Sequence, residues 1–324
     1  MEIYLIGLAV ALVGGLLMSR LTRLLHLPAV TAYLVAGLLL GPFFLGRLNV
    51  PGLGFNTLEE VNVLSIVSQT ALGFIAFAMG NEFRLSQLRT IGSRAIIIGI
   101  LQAVITTIVV DVILLLLHLF FPHIISVPCA ITLGAIAAAT APAATLMVVR
   151  QYKADGPMTR LLMLVVALDD AVGLLLFSVS FGIATALSNG QVSVLAVVVE
   201  PIVEILLSVG LGGFMGLLLH WVERFFHSRS KRMSLSVAFV MLTVGLSMLE
   251  FQIGPVHCGF SLLLVCMMTG TIFCNVCPTS EELMERVDGW TMPLNILFFV
   301  ISGAELDLNV LSQPVTLIVG IIYI

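Results

Sequence analysis

The sequence predicts an all-α polytopic membrane protein with ten to eleven transmembrane helices. Together these helices form a single transmembrane domain over residues 1–324. Hydrophobic residues make up 60% of the 324 residues and charged residues only 10%, against roughly 45–50% and 25% in soluble domains. Long apolar runs recur along the whole chain, and each can supply the about 20 helical residues that cross a hydrocarbon core. This composition excludes an ordinary water-soluble protein.

The predicted spans follow one another from the N-terminus. They are 3–20, 28–46, 61–80, 92–121, 127–149, 161–187, 193–222, 234–252, 258–276, 290–304 and, as a partial span, 313–324. The first carries Glu2 where a secretion signal would carry positive charge, and further spans follow it. We therefore expect the first span to be retained as a helix.

Basic residues fall in alternate loops between these spans. The chain has 14 Lys and Arg residues, and all of them except Arg47 lie on one side when the spans are threaded in order. The positive-inside rule assigns that side to the cytoplasm. We therefore expect the N-terminus to lie outside.

Two adjacent carboxylates, Asp169 and Asp170, lie well inside the sixth predicted span. A charge near the bilayer centre costs about 2.5–3.5 kcal/mol on insertion scales, so intramembrane acids are candidates for function. Successive helical residues point about 100° apart, so both side chains can face one cavity. Such a carboxylate holds a proton or a small cation, and competition between the two ions is the physical basis of antiport. The alternative is a pair that only hydrogen-bonds to a neighbouring helix.

The preceding span, 127–149, contains Pro142 among small residues, between Thr140 and Thr145. Proline removes a backbone hydrogen bond and clashes with the preceding turn, so the helix should kink or unwind there. Backbone groups freed at membrane depth are tolerated where they line a cavity or bind something. We predict a broken helix at Ala141, Pro142 and Thr145, with Thr140 beside the ion site; the alternative is a simple proline kink packed by small residues.

Other acids lie nearer the ends of their spans. Glu200 and Glu204 are four residues apart and share a helix face, and near the outer boundary they would attract cations to an entrance. Asp111 is isolated in the fourth span, where it is either a relay or a polar group in helix packing. Helix packing is the favoured interpretation of Asp111.

The cysteines indicate no disulfide framework. Cys274 and Cys277 have the spacing of a zinc-binding pair, and His257 and Cys258 precede them, but no second close pair accompanies them. We therefore favour small hydrophobic side chains. No cofactor is expected, and no metal beyond a monovalent cation.

Six segments carry motifs whose order along the chain is that of a known family. They are 27–42, 76–83, 140–145, 168–174, 259–264 and 298–307. In that order they resemble the bacterial monovalent cation:proton antiporter-2 family. The resemblance covers nearly the whole chain, and the Thr-Ala-Pro and Asp-Asp motifs are its most specific part. Asn81 departs from the pattern, since a hydrophobic residue is usual at that position.

The resemblance implies an antiporter fold with inverted repeats, in which a moving core carries the ion and a panel forms a homodimer. It makes Asp170 the principal ligand of sodium or potassium and of the proton. Asp169 would pair with a basic residue from a later span, and Thr140 would lie at the helix crossing. The implied protein is a transporter of the bacterial inner membrane, without enzymatic activity or nucleic-acid binding.

The same resemblance suggests a division of the chain. We expect a first-repeat core with the ion site at 61–187, panel or dimerisation helices at 1–46 and 193–222, and a second repeat at 234–324. The family fold continues beyond the equivalent of Ile324 to a second broken helix and the basic partner. We therefore expect the second repeat to be incomplete and the sequence to be shortened at its C-terminus.

The sequence is also compatible with two other functions. A gated cation channel on the same fold would need a continuous polar lining, whereas the sequence supplies one polar layer at membrane depth. A non-transporting membrane scaffold or fragment would keep the core without exchange. The single polar layer favours a carrier.

Overall fold

The computed structural model describes residues 2–24, 27–48, 54–85, 93–189, 199–249, 251–253, 256–309 and 314–323. The helices there are α1 Glu2–Leu24, α2 Ala29–Leu40, α3 Leu58–Val63, α4 Ser65–Met79, α5 Ser93–Phe120, α6 Val127–Ala137, α7 Pro142–Gln151, α8 Pro157–Asn189, α9 Glu200–Glu223, α10 Arg229–Ser247, α11 Leu262–Val276, α12 Ser280–Ala304 and α13 Pro314–Tyr323. Short 3-10 helices lie at Leu45–Leu48 and Gly80–Phe83. The predicted all-α class is confirmed.

A small hairpin supplies the two strands found within these ranges. Strands β1 (Phe251–Ile253) and β2 (Val256–Cys258) pair antiparallel, with Phe251 opposite Cys258. The helix predicted at 234–252 therefore ends earlier, at Ser247, and the helix predicted at 258–276 begins later, at Leu262. One reason is local, because the Ser261 hydroxyl accepts the Leu264 N–H and caps α11, which starts at Leu262.

Seven segments of the described chain are long and apolar enough to cross a membrane. The break between α6 and α7 lies inside one of them. Helices α4 and α11 are also apolar but have only 15 residues each. By length and composition the chain is a multi-pass membrane protein.

The helices pack in two groups. In the first, α5, α6 and α8 pack on one another. In the second, α2 lies against α1 and α12, α4 lies against α11 and α12, and α9 packs along α11. Helix α7 contacts α8 as well as α2 and α4, so the second half of the broken helix joins the groups.

Glycines set the closest crossing in the second group. A Cβ on Gly37 of α2 would overlap the Val300 carbonyl oxygen, and a Cβ on Gly303 of α12 would overlap the Leu34 carbonyl oxygen. Close backbone approach through small residues is the usual way that membrane helices associate. The α2–α12 crossing therefore depends on having no side chain at either position.

Ion pairs join helix ends on the side predicted to be cytoplasmic. Arg150 pairs with Asp288 and Arg232 with Glu223, while Glu282 accepts both Arg229 (3.2 Å) and Arg286 (3.1 Å). These residues come from separate loops that the sequence placed on one side. Their contacts agree with that threading.

The loop before α8 contains an exposed acid, Asp155. Its carboxylate accepts hydrogen bonds from Arg160 (3.2 Å) and from the Gly156 N–H (2.7 Å). The Arg160 side chain, with a smaller contribution from the Gly156 N–H, holds the pKa of Asp155 below its usual value.

Two tryptophans, Trp221 and Trp290, sit in aromatic pairs. Trp290 of α12 meets Phe74 of α4 edge to face, with ring centroids 5.6 Å apart. Trp221 of α9 meets Phe225 in the same way at 5.2 Å. The first pair lies across the α4–α12 contact, and the second lies at the end of α9.

Candidate ion site at the broken helix

The helix predicted to break at Pro142 does break there. Helix α6 ends at Ala137, and α7 begins with Pro142 in its first position, where a missing N–H costs nothing. The Ala138 and Ala139 amides bond back to Ala135 and Ile136, which closes the end of α6. Residues 139–141 form no helix, so the predicted break is confirmed.

The Thr145 side chain lies within the first turn of α7. Its hydroxyl donates to the Ala141 carbonyl oxygen at 3.0 Å, the same oxygen that accepts the Thr145 N–H. This side chain therefore stabilises the start of α7 in the observed conformation. Its place in the broken helix is as predicted.

Asp169 of α8 is completely buried, with no exposed surface. The amide of Gln102 on α5, oriented with its nitrogen toward the carboxylate, places Nε2 3.0 Å and 3.2 Å from the two oxygens. No ion pair found among the described residues includes Asp169. A neutral amide therefore supplies the hydrogen bonds that a buried carboxylate requires.

Thr140 lies in the break next to Asp169. Its side chain approaches the Asp169 carboxylate, but Oγ1 is buried and makes no hydrogen bond of normal geometry to any described residue. Gly173 brings α8 close to the same segment, since a Cβ there would lie 3.9 Å from the Ala139 Cβ. The structure thus brings Thr140 and Asp169 together, as the sequence predicted.

Asp170 follows in α8, but its side chain lies outside the part of the chain that the structure describes. Its role as the principal ligand therefore stays a prediction. The Thr140–Asp169 arrangement places the start of the acid pair at the break.

A buried carboxylate oxygen of a second acid lies on α5. Asp111 Oδ1 is buried without a hydrogen-bond partner among the described residues, and a Cβ on Gly134 of α6 would overlap it. Asp111 therefore fits against a glycine at the α5–α6 contact. This placement agrees with the packing interpretation of Asp111.

Glu200 and Glu204 lie in the first turns of α9, both partly exposed. Acids at a helix N-terminus interact favourably with the helix dipole, so this position has a structural reason of its own. Their role as a cation entrance stays a prediction.

A cavity of about 460 Å³ opens between α1, α2, α7 and α12. Its polar lining includes Tyr33, Gln151, Asn295 and the Arg150–Asp288 pair. Asn295 is only 3% exposed, and its Oδ1 has no partner among the residues described. Sequence reasoning missed both this cavity and Gln102, because each depends on which polar side chains meet across helices.

The match to a family model decides the relationship of the chain to known proteins. Residues 8–324 match the family described as sodium/hydrogen exchanger, transmembrane. The chain belongs to this family. The expected relationship to cation:proton antiporters is therefore confirmed.

Individual relatives agree with that assignment. K(+) efflux antiporter 5 of Arabidopsis thaliana is 31% identical over 94 residues, which are 29% of this chain and 14% of the plant protein. The similarity thus spans about a seventh of that relative's length.

Solved structures share the fold. The sodium proton antiporter MjNhaP1 from Methanocaldococcus jannaschii at pH 8 aligns with a TM-score of 0.62 and 20% identity, over 94% of this chain and 71% of the archaeal chain. A map of the same antiporter from electron microscopy gives a TM-score of 0.69 and 19% identity, over 93% and 69%. This chain therefore has the fold of the MjNhaP1 antiporter, as expected from the sequence.

Proposed function

We propose that this protein exchanges sodium or potassium for protons across the bacterial inner membrane by alternating access. Asp170 is the exchanged-ion ligand, Asp169 is its electrostatic partner, and Thr140 contributes a hydroxyl oxygen. The observation that carries the proposal is the fully buried Asp169 carboxylate, which lies beside an unwound segment and takes hydrogen bonds from the Gln102 amide.

The physical argument starts from the cost of charge in the membrane. An ionised carboxylate that crosses the hydrocarbon region alone is strongly disfavoured, whereas one that has taken up a proton or a monovalent cation is neutral. Asp170 is neutral when it holds either ion and charged when empty, so the core moves only when Asp170 is loaded. This condition couples the two ions.

The relatives support the choice of ions. The structural neighbour is named as a sodium proton antiporter, and the plant relative is named as a potassium efflux antiporter. We therefore extend both cations to this chain as candidates.

The helix contacts suggest which parts move. Helices α5 to α8, residues 93–189, are the part of the predicted core 61–187 that surrounds the site, and they form the proposed moving unit. Helix α4 also lies within 61–187 but packs mainly on α11 and α12, so we place it with the static helices. Helices from 1–46 and 193–222 remain our proposed homodimer panel, to be tested by crosslinking between copies.

The proposed orientation has the N-terminus outside. It places the exposed His123 outside and the exposed Ala154 inside. In whole cells, a membrane-impermeant maleimide should then label His123→Cys at once and Ala154→Cys only after permeabilisation, each compared with the parent chain. The reverse pattern would overturn this orientation.

Transport in proteoliposomes tests the function. An imposed sodium or potassium gradient should move protons in the opposite direction, reported by a pH-sensitive dye inside the vesicles. Asp170→Asn should abolish exchange. Asp155→Asn removes an acid from the exposed loop before α8 and is the matched control that should keep exchange.

The same assay separates the alternatives. Proton movement that is absent for wild type, or unchanged in Asp170→Asn, would refute the proposal. A linear cation conductance without proton coupling would identify a gated channel. A correctly inserted protein with neither activity would be a scaffold or fragment.

A further inference from the structure

A cluster of metal-ligating side chains lies at the ends of α9 and α11, outside the ion site. His220 and Glu223 are three residues apart on the last turns of α9, and Cys277 follows α11 directly. One ligand atom from each lies within 4.8 Å of the other two. Residues three apart share a helix face, so α9 presents its imidazole and carboxylate together toward the thiol.

All three side chains are buried. Glu223 is 1% exposed, Cys277 is 4% exposed and His220 is 8% exposed. A buried acid, thiol and imidazole in contact require either a complete set of hydrogen bonds or a cation.

The two oxygens of Glu223 have different partners. Oε1 pairs with Arg232 and accepts a hydrogen bond from Thr279 at 3.3 Å. Oε2 faces the Cys277 thiol, which donates to it at 3.0 Å. The Arg232 and Thr279 contacts therefore fix the carboxylate through one oxygen and leave the other directed at the sulfur, as outer contacts do around metal ligands.

The His220 ring is incompletely satisfied. Its Nδ1 is buried and has no hydrogen-bond partner within the described chain. Its Nε2 lies 2.7 Å from Nη2 of Arg224, whose side chain is exposed and free to turn into water. Because Arg224 donates to Nε2, the neutral ring carries its proton on Nδ1, and a metal at Nδ1 would require this proton to move to Nε2 as Arg224 turns away.

We propose that His220, Glu223 and Cys277 bind a divalent metal ion of the zinc class. Nitrogen, oxygen and sulfur donors together suit Zn²⁺ rather than Mg²⁺ or Ca²⁺, which prefer oxygen alone. Zn²⁺ holds its ligands at about 2.0–2.3 Å in a tetrahedron, so small side-chain rotations would close the observed spacing. The Cys277 thiol would lose its proton to solvent when the metal binds.

The proposed site connects the ends of several helices. The ligands join the end of α9 to the loop between α11 and α12, and Arg232 brings in α10. Three protein ligands leave one tetrahedral position open to water. The bound metal would fix these helix ends and so connect metal availability to the static half of the protein.

The sequence suggested a different set of metal ligands. Spacing pointed to Cys274 with Cys277, but the Cys274 thiol donates to the Thr271 carbonyl at 3.2 Å and to Gly80 at 3.5 Å. His257 and Cys258 lie in β2. The proposed ligands come instead from α9, which no local motif in the sequence connects to Cys277.

Cobalt spectroscopy tests the proposal on the full chain. The protein, purified in detergent and treated with a chelator, is titrated with Co²⁺ and then with Zn²⁺. We expect a sulfur-to-cobalt charge-transfer band in the near ultraviolet that saturates at one ion per chain and disappears when Zn²⁺ displaces Co²⁺. A wild-type protein without that band would overturn the proposal.

Variants assign the ligands. Cys277→Ser should remove the charge-transfer band, and His220→Gln should weaken Zn²⁺ binding by at least about tenfold. Cys274→Ser, a buried cysteine one helical turn away, is the matched control and should keep the band. A band that persists in Cys277→Ser, or that disappears only in Cys274→Ser, would contradict the assignment of the ligands. The wild-type titration tests the proposal independently, so a variant that folds poorly does not remove the test.

Discussion

At the scale of single residues, Asp169 shows how a neutral amide can hold a carboxylate inside a membrane helix, since no ion pair found within the described part of the chain includes it. Its partner is the Gln102 amide, which stabilises the ionised form through hydrogen bonds but contributes no charge. A hydrogen bond to a charged group contributes about 1.5–3 kcal/mol. We therefore expect Gln102 to act as a positioning residue, whose removal should favour protonation of Asp169 and so weaken the electrostatic support that Asp169 gives to a cation at Asp170.

Replacing Gln102 tests that role. Gln102→Leu should raise the apparent KM for the transported cation by about tenfold or more, the equivalent of roughly 1.4 kcal/mol or more, with a smaller effect on the maximal rate. Initial rates of proton movement at a series of cation concentrations measure both quantities.

Thr107→Val is the control for Gln102→Leu. Thr107 is a buried residue of the same helix, and its hydroxyl donates within that helix to the Ala103 carbonyl oxygen at 3.0 Å. Its replacement should leave the KM unchanged. Equal changes in KM for both variants would mean that α5 acts only through its packing.

Residue patterns predicted the acids but not their surroundings. Asp169 and Thr140 stand out because a polar residue in a long apolar run is conspicuous, and the Thr140 side chain in the break approaches Asp169 of α8. Gln102 is equally conspicuous in α5, yet nothing local shows that it faces α8. Which polar groups meet is decided by helix rotation and crossing, and one sequence contains neither directly.

At the scale of helices, the α2–α12 crossing depends on two glycines. Gly303→Ala would drive a methyl group into backbone atoms of Leu34, which cannot rotate away as a side chain could. We expect this substitution to lower the free energy of unfolding by about 1–3 kcal/mol, as overpacking does elsewhere. Thermal unfolding in detergent should show a lower midpoint.

Gly245→Ala provides the comparison for Gly303→Ala. Gly245 lies in α10, and a Cβ there would meet nothing within 4 Å. Alanine should be neutral or stabilise the helix by up to about 1 kcal/mol. If both substitutions lowered the midpoint equally, close approach at the crossing would not be the cause.

Helix positions were predictable from hydropathy, whereas helix ends were not. The span predicted at 290–304 begins ten residues earlier, because α12 starts at Ser280 and carries Glu281, Glu282 and Arg286 through its first turns. Charged residues there pair with α10 and with each other instead of ending the helix. Hydropathy alone excludes such a segment from a span.

At the scale of the whole molecule, the Arg150–Asp288 pair joins the proposed moving and static parts. Arg150 lies at the end of α7 and Asp288 lies in α12, beside the cavity that contains Asn295. Alternating access requires α7 to shift relative to α12 during the cycle. This contact should therefore form and break in each turnover.

A reversible crosslink tests that movement. In Arg150→Cys/Asp288→Cys, a short bis-methanethiosulfonate reagent should stop exchange, and a reducing agent should restore it. The control is Arg84→Cys/Ser280→Cys, which replaces the 3.3 Å Arg84–Ser280 contact between parts that we assign to the static unit. Exchange that continues across a complete Arg150–Asp288 crosslink would refute the assigned movement.

The tryptophans of the two aromatic pairs can report, through their fluorescence, on changes in the α4–α12 contact and at the end of α9. The chain contains only two tryptophans; Trp221 adjoins His220, and Trp290 lies two residues from Asp288. Indole emission changes colour and intensity with the polarity of its surroundings. A Trp221→Phe protein would therefore emit from the α4–α12 contact alone, and a Trp290→Phe protein from the end of α9, so that each region has a built-in fluorophore.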